Sequence, residues 1–187
     1  MERYNEKWES KTPMDKRLTD DEVEHFIKSL LPIIFHILYN PYEEERKTIF
    51  NTLATIRPDL IIPPLLEKLH IASESLTEPH RFTACLATLS ACSRAFVENY
   101  PIEVIKVINV IVPGININDI WKSTDIFILL SDLLEMIWLI DFSHPVSRAG
   151  VKTTETEDEL LCQTAVFDDF VLTFTDHCLK MVENSSR

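Results

Sequence analysis

An all-α fold of stacked helix pairs is predicted by three features of the chain. It has two glycines in 187 residues, far fewer than sheets joined by tight turns usually need. Its apolar residues recur at helical spacing from Thr19 almost to the end. Its ten prolines divide those segments into many short helices rather than a few long ones. At this length a single domain can bury a sizeable core.

Met1 to Leu18 is polar, with Tyr4, Trp8 and Pro13 scattered through it, and reads as a lead-in. Thr19-Asp20-Asp21-Glu22 matches a capping box, in which hydroxyl and carboxylate reciprocally satisfy backbone amides. The helix that follows carries Val23, Phe26, Ile27, Leu30, Leu31, Ile34 and Leu38 on its inner face. Pro32 should kink or divide it, and Asn40-Pro41 ends it. A second helix, Glu43 to about Ile56, turns Ile49, Phe50, Leu53 and Ile56 inward. Its three leading acids suit an exposed first turn.

Arg57 to Val97 is the centre of the chain. A helix with Ile61, Ile62, Leu65, Leu66 and Leu69 has Pro63 and Pro64 near its start. After a turn over Ser73 to Thr77, with Thr77 as N-cap, a second helix sets Phe82, Cys85, Leu86, Leu89, Cys92 and Phe96 on one side. Ala84, Ala87, Ala91 and Ala95 cluster on the other. Two readings fit: a helix contacted on both sides, or an amphipathic helix whose alanine side faces water. Pro101 to Val112 is a helix with Val104, Ile105, Ile108 and Ile111 inward, or, on its isoleucine and valine content, a buried strand. Asn118 caps a long helix from Asp119 to Ile140, apolar on most sides and so mostly buried, with Trp121 and Trp138 in the core. Ser143 to Thr156 reads as a flexible loop. The last helix, from about 157 to Glu183, has Leu160, Leu161, Phe167, Phe170, Val171, Phe174, Met181 and Val182 on its inner face.

First members of pairs start near Asp20, Ile61 and Pro101, and second members near Glu43, Glu78 and Asp119. The repeat of roughly forty residues is the period of HEAT-type repeats. The predicted architecture is therefore a HEAT/armadillo-like α-solenoid of about three helix pairs plus a long C-terminal helix. Residues 1–18 form the lead-in, 19–142 the repeats, 143–156 the loop and 157–184 the terminal helix of the same solenoid. The end repeats of a solenoid carry polar caps, and the last helix offers an apolar face instead. The isolated chain is expected to be marginally stable or to self-associate.

Net charge is −12 and the sequence pI is near 4.9. That balance argues against nucleic-acid or anionic-membrane partners, which require basic patches, and permits attraction to basic ones. The most apolar run, Ile126 to Ile140, is interrupted by Ser131, Asp132 and Glu135 and is too short to span a bilayer. With a charged, polar start, the chain reads as intracellular and soluble.

No catalytic, cofactor-binding or metal-ligating residue emerges. Cys85, Cys92, Cys162 and Cys178 form no CxxC pair and fall on or near apolar faces, as buried free thiols do. His177 and Cys178 are adjacent, so on a helix they diverge and make no nucleophile–base pair. Asp168-Asp169 and Asp158-Glu159 diverge likewise. Glu43-Glu44-Glu45 is a solvated helix start. His80 reads as a structural cap partner ahead of a base, since no nucleophile accompanies it. No glycine-rich phosphate loop is present.

Two ordered strings carry a resemblance: Arg57-Pro58-Asp59-Leu60-Ile61-Ile62-Pro63-Pro64 and Leu76-Thr77-Glu78-Pro79-His80. Arg17-Leu18-Thr19-Asp20, Pro113-Gly114-Ile115, Asn118-Asp119, Phe167-Asp168-Asp169-Phe170-Val171-Leu172 and Phe174 extend it over nearly the whole chain. Together they resemble the proteasome activator complex subunit 4 family, the large ATP-independent activators. The resemblance implies a very long HEAT-repeat solenoid, wound into a dome that caps the core proteasome. Such a dome docks a C-terminal tail between outer-ring subunits and loosens the gate. It implies no protease activity and no ATP. It further implies ubiquitin-independent degradation, acetylated histones as partners, roles in DNA repair and spermatogenesis, and residence in nucleus and cytoplasm. The family's docking tail, a hydrophobic residue, an aromatic and one last residue, has no counterpart in Val182 to Arg187. Nor is there a counterpart of its acetyl-lysine-binding-like region, or a lysine and arginine cluster for inositol phosphate. The chain is thus expected to be an internal wall segment unable to activate a proteasome by itself. The competing readings are a generic HEAT scaffold that binds protein segments along an acidic concave face, and a cysteine hydrolase.

Overall fold

The computed structural model describes residues 13, 17–40, 42–74, 78–116, 118–137 and 167–185. Among them are eight α-helices and no strand. They are α1 (Asp20–Ile37), α2 (Glu43–Ile56), α3 (Pro58–Glu74), α4 (Pro79–Ala91), α5 (Ser93–Asn99), α6 (Pro101–Ile111), α7 (Ile120–Met136) and α8 (Phe167–Ser185). A 3₁₀ turn, Val112–Gly114, follows α6. The expected lead-in, the Thr77 cap, Trp138, the 143–156 loop, Cys162 and the opening of the last helix near 157 lie outside the described residues.

The helices form two layers. The second members of the pairs, α2, α4 and α7, pack side by side in that order. Among the first members, α3 packs against α6. Within pairs, α1 meets α2, α3 meets α4 and α6 meets α7, and α2 also packs on α3. Contact of like members between successive pairs is what a helical solenoid requires, and it confirms the all-α solenoid. The helix α6 settles the strand alternative: Val104, Ile105, Val107, Ile108 and Ile111 are buried at helical spacing.

Local chemistry explains the helix starts. The capping box forms as read: Thr19 Oγ1 accepts from the Glu22 amide at 3.3 Å, and the Thr19 amide donates to Glu22 Oε2 at 2.8 Å. Pro32 does not divide α1, because it lies on the exposed side, where the carbonyl it deprives can be hydrated. The helix α3 begins at Pro58, earlier than expected, so Pro63 and Pro64 sit inside it rather than in its first turn. The helix predicted over Glu78 to Val97 is two. Cys92 takes φ −96° and ψ 6°, and its amide is shared between Leu89 O at 3.0 Å and Thr88 O at 3.2 Å. The N-cap of α7 is Asp119, not Asn118; its Oδ1 accepts from the Lys122 amide at 3.0 Å. Ser123 is buried and ties the preceding loop to α7, donating to Asn116 O and accepting from the Asn116 amide, both at 2.9 Å.

The core is continuous through all three pairs and includes Ile27, Phe50, Ile61, Leu65, Leu86, Leu89, Phe96, Ile108, Leu129 and Leu133. Several apolar residues expected to face inward do not. Phe26 is 60% exposed, Ile56 51%, Val171 51% and Val182 64%, and Ile49 lies at the edge of exposure. Phe26 and Ile33 form an exposed stripe on α1, and Ile49 and Ile56 on α2 are exposed as well. Trp121 is 84% exposed. At 100° per residue it lies opposite the buried row Ile126, Leu129, Leu130 and Leu133, together with exposed Ile128, so α7 is amphipathic rather than buried all round.

Side-chain contacts stitch the pairs. The Phe35 and Phe50 rings meet edge-on at 5.5 Å, joining α1 to α2. Lys68 of α3 lies over Phe35, and Lys122 of α7 over Phe82 of α4. Ser90 of α4 donates to Asp132 of α7. Phe174 of α8 stacks on Phe170 and meets Phe127 of α7 edge-on at 6.0 Å. Arg57, between α2 and α3, donates to Asp59 in a two-bond fork at 2.9 and 2.7 Å and to Glu24 of α1 at 2.9 Å.

Two outcomes are expected. Leu86→Ala removes a fully buried side chain from α4. It should cost about 2–5 kcal/mol and lower Tm by roughly 5–15 °C in a thermal melt. A loss under about 1 kcal/mol would contradict the packing described. The second outcome concerns acid. Asp59, through Arg57, and Glu24, through Lys28 and then Arg57, are held below their ordinary values of 3.8 and 4.5. A depressed folded value adds stability that is complete above the unfolded value and lost as pH falls through the folded one. The Tm gap between the wild type and Arg57→Gln should be constant near neutrality and shrink below about pH 4.5. A gap that widens on acidification would contradict the clamp.

Candidate functional site

The described surface holds a groove of about 340 Å³ among the second-layer helices. Tyr39 and Asn40, just beyond α1, line it. Glu43 and Arg46 come from the first turns of α2; His80 and Thr83 come from the start of α4, and Asp125 from α7. Ala84 and Ala87 of α4 also line it, because two small residues one turn apart let the flanking helices rise on either side. This decides between the two readings of the alanine face: on α4 Ala84 is buried and Ala87 and Ala91 half-buried, and Ala95 is buried on α5, so the face is covered rather than turned to water.

Arg46 is the unusual residue. It is 6% exposed, its Nη1 donates to Asn40 O at 3.0 Å, and its buried Nε has no acceptor. Sequence reading missed it, because position 46 falls in a run of charges that reads as a solvated helix start; its place four residues before buried Phe50 was the available signal. Glu43 is held by Lys47 at 2.6 Å. The Asp125 carboxyl is pushed up by loss of solvent and then by Glu43. The Arg81 guanidinium lies over the Tyr39 ring at 5.0 Å and pairs with Glu78 at 3.0 Å.

His80 is not a cap partner. Glu78 occupies the N-cap of α4 and its side chain makes no capping bond; His80 lines the groove. The thiols are poor nucleophiles. Burial pushes Cys85 up to about 11, with a hydrogen bond from Tyr39 acting the other way, and pushes Cys92 up to about 12. Cys178 is also raised by loss of solvent, and the neighbouring His177 Nδ1 engages Thr173 O at 2.8 Å rather than the thiol. A reactive cysteine needs a lowered value, so neither buried thiol supports thiol catalysis. Among the described residues no three His, Cys, Asp or Glu side chains are grouped to hold a metal, and no helix is long and apolar enough to cross a membrane. The groove offers charged and hydrogen-bonding side chains from Tyr39, Glu43, Arg46, His80, Thr83 and Asp125.

The model of the family described as proteasome activator complex subunit 4, mid HEAT repeats region, matches residues 1–187. The chain is 33% identical over 193 aligned residues to proteasome activator complex subunit 4 of Xenopus laevis, and 32% identical to that of Homo sapiens. Each alignment covers 99% of this chain and 10% of the relative. Proteasome activator complex subunit 4A of Danio rerio is 30% identical over 96% of this chain and 10% of its own length. The chain therefore spans about a tenth of the curated relatives it matches. With its stacked helix pairs and a match along its full length, it belongs to the family of the mid HEAT-repeat region of proteasome activator complex subunit 4.

Proposed function

We propose that this chain is a wall segment of a proteasome activator. Its helix pairs would continue a much longer solenoid that caps the core proteasome and promotes degradation without ATP or ubiquitin. The observation that carries the reading is the family match over all 187 residues, joined to the side-by-side order of α2, α4 and α7. An ordered two-layer stack transmits shape and supplies rigidity, which is what a wall requires. Contact with the proteasome's outer ring belongs, on this reading, to the whole protein. Acetylated histones as substrates, and residence in nucleus and cytoplasm, are further parts of the proposal that rest on the resemblance.

The test uses hydrolysis of a small fluorogenic peptide by purified core proteasome without ATP. The product of the full reading frame is expected to raise the rate, and this chain alone to leave it unchanged. No stimulation by the full product would overturn the activator reading. Stimulation by this chain alone would overturn its assignment as a passive wall segment.

A further inference from the structure

We propose that the outward face of α7, where Ile120, Trp121 and Ile128 stand near Asp132 and Glu135, docks an amphipathic helix of a partner protein whose apolar row is flanked by lysine or arginine. The starting point is Trp121. It is 84% exposed, and Ile120 and Ile128 of the same helix are exposed with it. A tryptophan carries a large apolar area, and the type is enriched where partners bind most tightly. Trp121, Thr124 and Ile128 stand at i, i+3 and i+7, so they follow one line that runs about 10 Å along the helix. The Thr124 hydroxyl donates back to Ile120 O at 2.8 Å, which leaves its methyl to the apolar row. A second helix meets such a row with an i, i+3, i+7 row of its own.

The face is not one that the stack uses. Helix α6 packs against α7 on its buried side. One flank of α7 is held by α4, through Ser90 on Asp132 and through Lys122 over the Phe82 ring. The other flank meets α8, where Phe127 and Phe174 are edge-on at 6.0 Å. At 100° per residue, Trp121, Thr124 and Ile128 project away from all three neighbours. Pairs added beyond α2 or beyond α8 would leave this face open, so what covers it comes from outside the row of pairs.

Charge selects the partner. Lys122 is the one basic residue of α7, and it is turned onto Phe82. Asp132 and Glu135 stand at the C-terminal end of the apolar row, Asp132 accepting from a neutral hydroxyl and Glu135 exposed. Asp125 belongs to the groove, where Arg46 and Lys47 balance it and Glu43. The whole chain carries a net charge of −12. An acidic helix would meet like charge here. A helix with lysine or arginine one turn beyond its apolar row would meet Glu135 and then Asp132.

Binding is read by NMR on the folded chain, following the tryptophan indole N–H signals; the Trp121 signal is the one lost in Trp121→Ala. The probes are three short synthetic helices: a leucine row flanked by lysines, the same row flanked by glutamates, and an alanine row flanked by lysines. The leucine–lysine helix should move the Trp121 signal saturably, and the other two should bind at least about tenfold more weakly. Trp121→Ala should weaken the leucine–lysine helix by about tenfold or more, followed by the peptide's own signals. Because Trp121 is exposed, this variant should keep the wild-type Tm. Glu135→Lys is the independent variant and should turn the preference from the lysine helix to the glutamate helix. Equal binding of the glutamate helix to the wild type, equal binding of the alanine row, or unchanged affinity in Trp121→Ala would each overturn the proposal. So would a Trp121 signal that moves with the chain's own concentration before any peptide is added, which would assign the face to a second copy.

Discussion

The structure depends on helix α4 being packed on more than one side. It meets α3 within its own pair and has α2 and α7 as neighbours in its layer. Its large residues Phe82, Cys85, Leu86 and Leu89 are all buried, which ties the first and last pairs into one core through the middle one. Its small residues Ala84 and Ala87 let the flanking helices approach while leaving the groove above them. Polar contacts fix the arrangement where burial alone would leave it free to slide. Ser90 reaches Asp132, and Lys122 covers the Phe82 ring. At the other edge, Arg57 fastens α1 to the α2–α3 junction.

Much of this was legible in the sequence. The helix starts at Asp20 and Pro101, and the pairing of helices, followed from capping chemistry, proline positions and apolar periodicity. What escaped was set by tertiary context. The break at Cys92 has no glycine or proline to announce it. Phe26, Ile56 and Trp121 look like core on hydrophobicity alone, yet they lie on surfaces that the described helices leave exposed. Local pattern says that a residue is apolar; only the neighbouring repeat decides whether it is buried. Arg46 is the converse case. Its charge signals solvent, and its position over buried Phe50 overrides that signal. Of the groove, the sequence disclosed the alanine floor and not the charges around it, because those converge from three helices separated by some forty residues each.

Exposed apolar residues occur on the first, last and intermediate helices. Phe26 and Ile33 on α1, Ile49 and Ile56 on α2, and Val171, Leu172 and Leu179 on α8 lie at opposite ends of the order of helices. Internal repeats of a solenoid bury such faces against the next repeat, whereas terminal repeats replace them with polar caps. The chain matches a tenth of each relative, and further exposed apolar residues, Ile71 on α3 and Trp121 and Ile128 on α7, lie between those ends. The groove has a different character: it is polar and draws its lining from α2, α4 and α7 and from the residues just beyond α1.

The most direct measurement is an electron cryo-microscopy structure of the product of the full reading frame. The account expects α1 to α7 to appear as consecutive pairs in a continuous wall, with other helices of the same protein seated on Phe26, Ile33, Ile49 and Ile56. Those stripes facing solvent, or the pairs standing apart from the rest of the solenoid, would contradict it.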